Sequence, residues 1–188
     1  MNGRLLNRKF KRVFVFCSKL LTLFPYRFRL WLFVLFRNVK GHIGIAIRYI
    51  LIMTLAKKCG DNVCIKEGVY IYNLKELSLG NNVSIHPLCY IDAIGGIFIG
   101  DNVSIAHNSS LISFDHAYET MELPIKYNPL NCKPIIIKDD VWIGCGVRIL
   151  SGTEINKRVI VGAGAVAKGV LKEHSIYVGI PAKSVKNI

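Results

Sequence analysis

No acidic residue occurs between Met1 and Lys58, although thirteen basic residues do. Residues 59–188 hold twelve of each sign, so the whole formal net charge of +13 sits in the first third of the chain. Long uninterrupted apolar runs are also missing. A transmembrane helix needs roughly 20 consecutive apolar residues, and Ile43–Ala56, the nearest approach, is broken by Arg48. The stretch Val13–Phe24 has the apolarity of a signal-peptide core. It contains Lys19 and is followed by no small-residue cleavage site, so it reads as not cleaved and the protein as facing the cytoplasm. The cysteines Cys17, Cys59, Cys64, Cys89, Cys132 and Cys145 form no CxxC pair and no zinc spacing. They read as reduced, small packing residues, which excludes a disulfide scaffold and a zinc ribbon.

What the first third does contain is aromatic and aliphatic bulk interleaved with Arg and Lys, as in Phe28-Arg29-Leu30-Trp31-Leu32-Phe33-Val34-Leu35-Phe36-Arg37. Residues 1–58 are expected to be helical, with Pro25 separating two helices and Gly41 and Gly44 breaking the chain before a third apolar stretch, Ile45–Ala56. Apolar faces with basic flanks suit an anionic membrane surface, where the rings bury and the cations reach the headgroups. Nucleic-acid arms carry less aliphatic bulk, so no nucleic-acid partner is expected. The plainer alternative is a set of helices capping the rest of the chain with a solvated basic face.

From Cys59 the texture changes to internal repetition. Cys59-Gly-Asp-Asn-Val63, Leu79-Gly-Asn-Asn-Val83, Ile99-Gly-Asp-Asn-Val103 and Ile137-Lys-Asp-Asp-Val141 share one pattern, the first three at a spacing of 20. Later Ile143, Ile149, Ile155 and Val161 keep a strict period of six, with Val147, Thr153, Val159 and Ala165 four residues after each. Neither an α-helix nor an alternating strand produces a six-residue beat. A triangular coil does, with one large aliphatic pointing inward on each short face and Asn or Gly at the corners. The expected fold of residues 59–188 is therefore an all-β parallel β-helix preceded by the basic helical region. The beat stops between Asp115 and Pro134, which reads as an excursion loop of residues 115–134 with a functional role.

The ordered set Ile99-Gly-Asp-Asn-Val-Ser-Ile-Ala-His-Asn108, His116, Lys133-Pro-Ile-Ile-Ile-Lys-Asp-Asp-Val-Trp-Ile-Gly144, Val161-Gly-Ala-Gly-Ala-Val166 and Gly179-Ile-Pro-Ala-Lys183 resembles the hexapeptide-repeat acyltransferases. With its basic N-terminal region the chain is most similar to the capsule, exopolysaccharide and O-antigen O-acetyltransferases of that family. The resemblance implies a left-handed β-helix, a homotrimer with active sites between subunits, acetyl-CoA as co-substrate without a metal, and a saccharide acceptor. It implies His116 as general base, a task suited to an imidazole whose ordinary pKa is about 6.5. Asp115 would orient the ring or the loop. His86 aligns with a position that contacts the acceptor sugar, where relatives carry asparagine, and Asp92 lies near a second such contact. Trp142, Cys145 and Ala163 would line the pantetheine arm. Lys168 and Lys183 would meet the coenzyme phosphates, although Val166-Ala-Lys-Gly169 places its lysine one position earlier than the relatives' Val-Val-Thr-Lys. His107 and Asn108 read as coil-surface and coil-corner residues.

Three other functions stand beside this one. The same fold, base and coenzyme serve N-acetylation of an amino sugar or sugar nucleotide. A γ-class carbonic anhydrase needs three convergent histidines and an open position on zinc. His86, His107 and His116 are available for that, though the last two lie nine residues apart. A non-catalytic scaffold on a membrane assembly would need none of these residues.

Overall fold

The computed structural model describes the backbone from Gly3 to Ile188 and the side chains from Phe10 onward. Met1 and Asn2, the start of the basic segment, lie outside the described residues. Three helices come first: α1 (Gly3–Leu21), α2 (Tyr26–Leu35) and α3 (Gly41–Leu55). Pro25 stands at the N-cap of α2, where its fixed φ suits the helix start and its missing N–H leaves nothing unsatisfied. The expected break at Gly44 is corrected. α3 already starts at Gly41, whose φ of +73° makes the turn, and Gly44 lies inside the helix. A Cβ at Gly44 would collide with the carbonyl of Val39, so its glycine serves close approach rather than a break.

From Lys58 the chain winds as a parallel β-helix with three faces. The first face stacks Lys58–Cys59, Leu77–Leu79, Ile97–Ile99, Ile135–Ile137, Glu154–Ile155 and Val170–Leu171. The second stacks Cys64–Ile65, Ser84–Ile85, Ser104–Ile105, Trp142–Ile143, Ile160–Val161 and Ser175–Val178. The third stacks Tyr70–Tyr72, Tyr90–Asp92, Ser110–Ile112, Arg148–Ile149 and Val166–Ala167. The six-residue beat marks the inward positions as expected. Ile65, Ile71, Ile85, Ile91, Ile105, Ile143, Ile149, Ile155 and Val161 are each at most 5% exposed. At roughly 1.5–3 kcal/mol per buried aliphatic side chain, this column is the main favourable term for the coil.

The corners carry their own ladders. Asn62, Asn82, Asn102 and Asp140 all adopt φ near +58°, and the amide of Asn62 donates to Asn82, which donates to Asn102, both at 2.9 Å. Beside them the backbone N–H groups of Asp61, Asn81 and Asp101 each donate to the side chain one coil further on, at 2.7–2.8 Å. The repeated Gly-Asp/Asn-Asn-Val signature is thus a turn that bonds to its own copies one coil away.

A stack of coils leaves backbone groups unpaired at its first edge, and buried backbone groups need partners. The helices supply them. Arg48 of α3 is 0% exposed. Its Nε donates to the carbonyl of Ile65 in the first coil (2.9 Å), and its Nη1 to the carbonyls of Phe36, Arg37 and Val39 between α2 and α3 (2.8–3.2 Å). Tyr49 donates to the carbonyl of Gly60, and the N–H of Gly68 donates to the carbonyl of Arg37. Phe33, Leu51, Ile52 and Leu55 join the same apolar cluster as the coil interior. At the far end Lys183–Asn187 pairs antiparallel with Ser175–Val178 and covers the last coil.

Arg48→Met keeps the apolar bulk but leaves four carbonyls without their donor. It is expected to destabilise the protein by about 3 kcal/mol, lowering the midpoint of thermal unfolding by about 5–10 °C. Arg48→Lys should recover little of this, because one ammonium cannot serve carbonyls on both sides of a planar fork. Circular dichroism melts of the three proteins check both statements.

Candidate functional site

The excursion leaves the coil after Ser110–Ile112 and returns at Ile135–Ile137. Its root is pinned by Ser113, which is fully buried. The Ser113 hydroxyl donates to the carbonyl of Asp92 (2.8 Å) and accepts from the N–H of Gly95 (2.9 Å), while its carbonyl accepts from the N–H of Lys133 (3.1 Å). Phe114–His116 then pairs antiparallel with Leu130–Cys132, so the excursion opens as a two-stranded hairpin. Its tip is organised by Asn128, 5% exposed, whose amide reaches the carbonyls of Thr120, Leu123 and Pro124 and whose Oδ1 accepts from the N–H of Thr120. Neither Ser113 nor Asn128 was singled out in the sequence. A serine at an inward position and an asparagine amid prolines were the available signals.

His116 is exposed on this hairpin, with the ring of Phe114 standing edge-on to it at 6.4 Å. Alternation along the strand puts Phe114 and His116 on one side and Asp115 on the other. Among the described residues no hydrogen bond joins Asp115 to His116.

The corner between the second and third faces gathers another group. The N–H groups of His86, Ala106, Gly144 and Gly162 occupy equivalent rungs, each donating to the carbonyl that ends the next second-face strand. One position on, Pro87, His107, Cys145 and Ala163 form a parallel column, linked by Asn108 N–H to Pro87, Gly146 N–H to His107 and Gly164 N–H to Cys145 (2.8–3.1 Å). The next position holds Gly68, Leu88, Asn108, Gly146 and Gly164, all with φ between +59° and +70°. A Cβ added at Gly146 or Gly164 would meet only open space. The corner is therefore a strip of uncovered backbone on its upper coils, with Cys145 half-buried and Ala163 exposed beside it. Trp142, 54% exposed, stands on the second face leading into this corner, between Ser104 and Ile160 in register.

The remaining sequence candidates are spread out. Asp92 ends a third-face strand and accepts from the amide of Asn73 (2.7 Å). Lys168 is exposed just past the third-face strand Val166–Ala167, at the same edge of that face as Asp92, and Lys183 opens the last strand, paired with Val178. Neither lysine enters an ion pair among the described residues, and the structure brings no contact between them. Third-face strands run from the His86–Ala163 corner to the root of the hairpin. His116 and the Cys145–Ala163 strip consequently lie at opposite edges of the third face, and no hydrogen bond or ring contact joins them. Among the described residues, no three His, Cys, Asp or Glu side chains converge as metal ligands.

Half-burial, with Lys66 and His107 nearby, holds the His86 imidazole below the ordinary histidine range. The folded state thus binds this proton less readily than the unfolded chain. Its contribution to stability is full above about pH 6.5 and falls as the pH drops through that value. His86→Asn is expected to flatten the loss of thermal stability between pH 7 and pH 5, and the His86 ring resonances should titrate below those of an exposed histidine in NMR.

Residues 134–169 match the family model described as bacterial transferase hexapeptide (six repeats). A probable acetyltransferase of Mycobacterium tuberculosis is 42% identical over 77 residues, which is 41% of this chain and 26% of the relative. The putative lipopolysaccharide biosynthesis O-acetyl transferase WbbJ of Escherichia coli is 28% identical over 126 residues, which is 67% of this chain and 58% of the relative. This chain therefore spans well under two thirds of either curated relative. Among solved structures, a hexapeptide-repeat acetyltransferase from Vibrio cholerae complexed with acetyl coenzyme A superposes with a TM-score of 0.76 at 25% identity, covering 85% of this chain and 84% of that one. Repeat sequence and coil geometry agree with this likeness to hexapeptide-repeat transferases, which the family model carries over residues 134–169.

Proposed function

We propose that the protein transfers the acetyl group of acetyl-CoA to a hydroxyl of a saccharide destined for a surface polysaccharide, with His116 as general base. The observation that carries this reading is the exposed imidazole on a pinned hairpin at the point where the coil beat is interrupted. Among the described residues no hydrogen bond occupies its ring, which leaves a nitrogen available to a substrate. The relatives support the chemistry, one being named for lipopolysaccharide O-acetyl transfer and one being complexed with acetyl coenzyme A.

The corner strip fits the coenzyme. A pantetheine arm carries two amides and little bulk, and the open backbone at Gly146 and Gly164 offers amide partners with nothing in the way. Cys145 and Ala163 would flank the arm, Trp142 would cover it, and Lys168 and Lys183 would meet the phosphates. Bound there, acetyl-CoA supplies an activated acyl group as a thioester. His116 takes the proton of the attacking hydroxyl as the carbon–oxygen bond forms and the carbon–sulfur bond breaks, and that proton leaves with the thiol. His86, Asp92 and Asp115 are assigned to the acceptor side. The hairpin lies across the third face from the strip, so one chain alone does not complete the site. A homotrimer, in which each hairpin meets a neighbour's strip, brings the two together and supplies the rate through proximity.

The helices give the enzyme a place to work. Among the described residues no helix is long and apolar enough to cross a membrane. Val13, Phe16 and Leu20 of α1, Leu23 and Phe24 of the turn, and Phe28, Trp31 and Leu35 of α2 are 40–80% exposed, in a segment with basic residues and no acidic one. Phe24, Phe28 and Trp31 form a continuous aromatic run at 5.3 and 5.8 Å. An apolar patch of this size rimmed by cations suits peripheral docking on an anionic leaflet.

His116→Ala should lower acetyl transfer to a saccharide by a factor on the order of 10² or more while acetyl-CoA binding, read by calorimetry, stays intact. Unchanged turnover would remove the base assignment. A Phe24→Ser, Trp31→Ser double variant should lose most of its co-sedimentation with anionic vesicles, and the intact protein should be released by rising salt.

A further inference from the structure

α2 has three distinct sides. Leu32, Phe33 and Phe36 join the apolar cluster, and Arg29 reaches the carbonyl of Thr54 in α3. Phe28, Trp31 and Leu35 are bare. Tyr26, Leu30, Val34 and Arg37, at helical spacing, line a cavity of about 510 Å³ bounded on its far side by Tyr72, Asn73 and the 3₁₀ turn Leu74–Glu76. That volume is within the usual range of small-ligand sites.

The polar groups of this cavity are unbalanced toward positive charge. Glu76 pairs with Lys57 at 3.8 Å. Arg37 and Lys75 enter no ion pair among the described residues. Aromatic faces hold them instead: the Arg37 guanidinium is 4.0 Å from the centroid of Tyr70, and the Lys75 ammonium spans the cavity to lie 4.5 Å from the centroid of Tyr26. Two cations held on rings beside a hydrocarbon wall form a site for an anion with an apolar tail. A guanidinium and an ammonium together are the ordinary partners of phosphate, while Leu30 and Val34 offer no hydrogen bonds.

We propose that the cavity between α2 and the first coil binds a phosphate group borne on a hydrocarbon chain. The phosphate sits between Arg37 and Lys75, and the chain runs along Leu30 and Val34 toward the bare side of the helix. Asn73, on the cavity wall, donates to Asp92, so a saccharide attached to such a phosphate would emerge beside the acceptor side of the site. A lipid-phosphate carrier and a bilayer phospholipid present the same chemistry. The inference does not depend on acetyl transfer, because its test reads binding alone.

The test titrates the full-length protein with dodecyl phosphate below its micellar concentration, with inorganic phosphate, with uncharged dodecyl maltoside, and with vesicles containing phosphatidic acid. Dodecyl phosphate should bind at least about tenfold more tightly than either single-feature probe. Lys75→Ala should remove about tenfold of that affinity, whereas Lys172→Ala, which removes an exposed cation outside the cavity lining, should leave it unchanged. Loss on Lys75→Ala with the free amphiphile supports a carrier that leaves the bilayer. Loss confined to the vesicles supports a phospholipid headgroup in its leaflet. Equal binding of dodecyl phosphate and dodecyl maltoside, or Lys75→Ala without effect on both free amphiphile and vesicles, overturns the site.

Discussion

A stack of parallel coils is satisfied everywhere except at its ends. Each interior strand gives and takes hydrogen bonds with the coils above and below, but the first coil faces outward with carbonyls and N–H groups that nothing in the repeat supplies. Here the answer is a buried guanidinium. Arg48 ties the Ile65 carbonyl of the first coil to three carbonyls of the α2–α3 connection, and Gly44 lets that connection come close enough to be reached. Because the donor is a rigid fork, it fixes orientation as well as contact. Together with the Gly68–Arg37 and Arg29–Thr54 hydrogen bonds and the packing of Phe33, this side chain holds α2 in place, and with it both the bare aromatic run and the cationic cavity.

The same economy governs the functional half. The repeat supplies an open strip almost as a by-product. At the corner between the second and third faces the positive-φ positions are held mostly by Gly or Asn, and where Gly146 and Gly164 follow each other in the stack the backbone is left uncovered. Leu88 is the exception in that column, a branched side chain at φ +61° and 63% exposed, at a cost of about 1 kcal/mol. The base proposed for this chemistry, His116, stands where the repeat is broken, since a hairpin can project an imidazole that a coil corner would keep flush with the surface.

Most of the fold was legible because its physics is periodic. The inward aliphatics recur at six, and the structure buries each of them. The Gly-Asp/Asn-Asn-Val signature reports a corner ladder that bonds to its own copies, so a single sequence contains enough repeats to reveal it. The non-periodic parts were harder to read. Gly44 reads as a breaker on propensity alone and is instead a point of contact between helix and loop, a tertiary fact with no local signal. Asp115 and His116 are adjacent in sequence, but the hairpin alternates them to opposite sides. The hairpin itself was hidden because its strands carry no inward aliphatics. Of the site candidates, the residues of the second-to-third corner fall together because the period aligns them, while Lys168 and Lys183 lie in stretches where the period ends.

The hairpin departs from the third coil, and the helical cap grips only the first. Between them stand a whole number of identical layers, each adding about 4.8 Å. The height of the imidazole above the capping helices is therefore counted in layers, not adjusted continuously. Gaining or losing one twenty-residue turn would move the His116 ring by a single fixed step while leaving the hairpin and the cap unchanged, so reach from a surface could be altered in such a protein without redesigning either end.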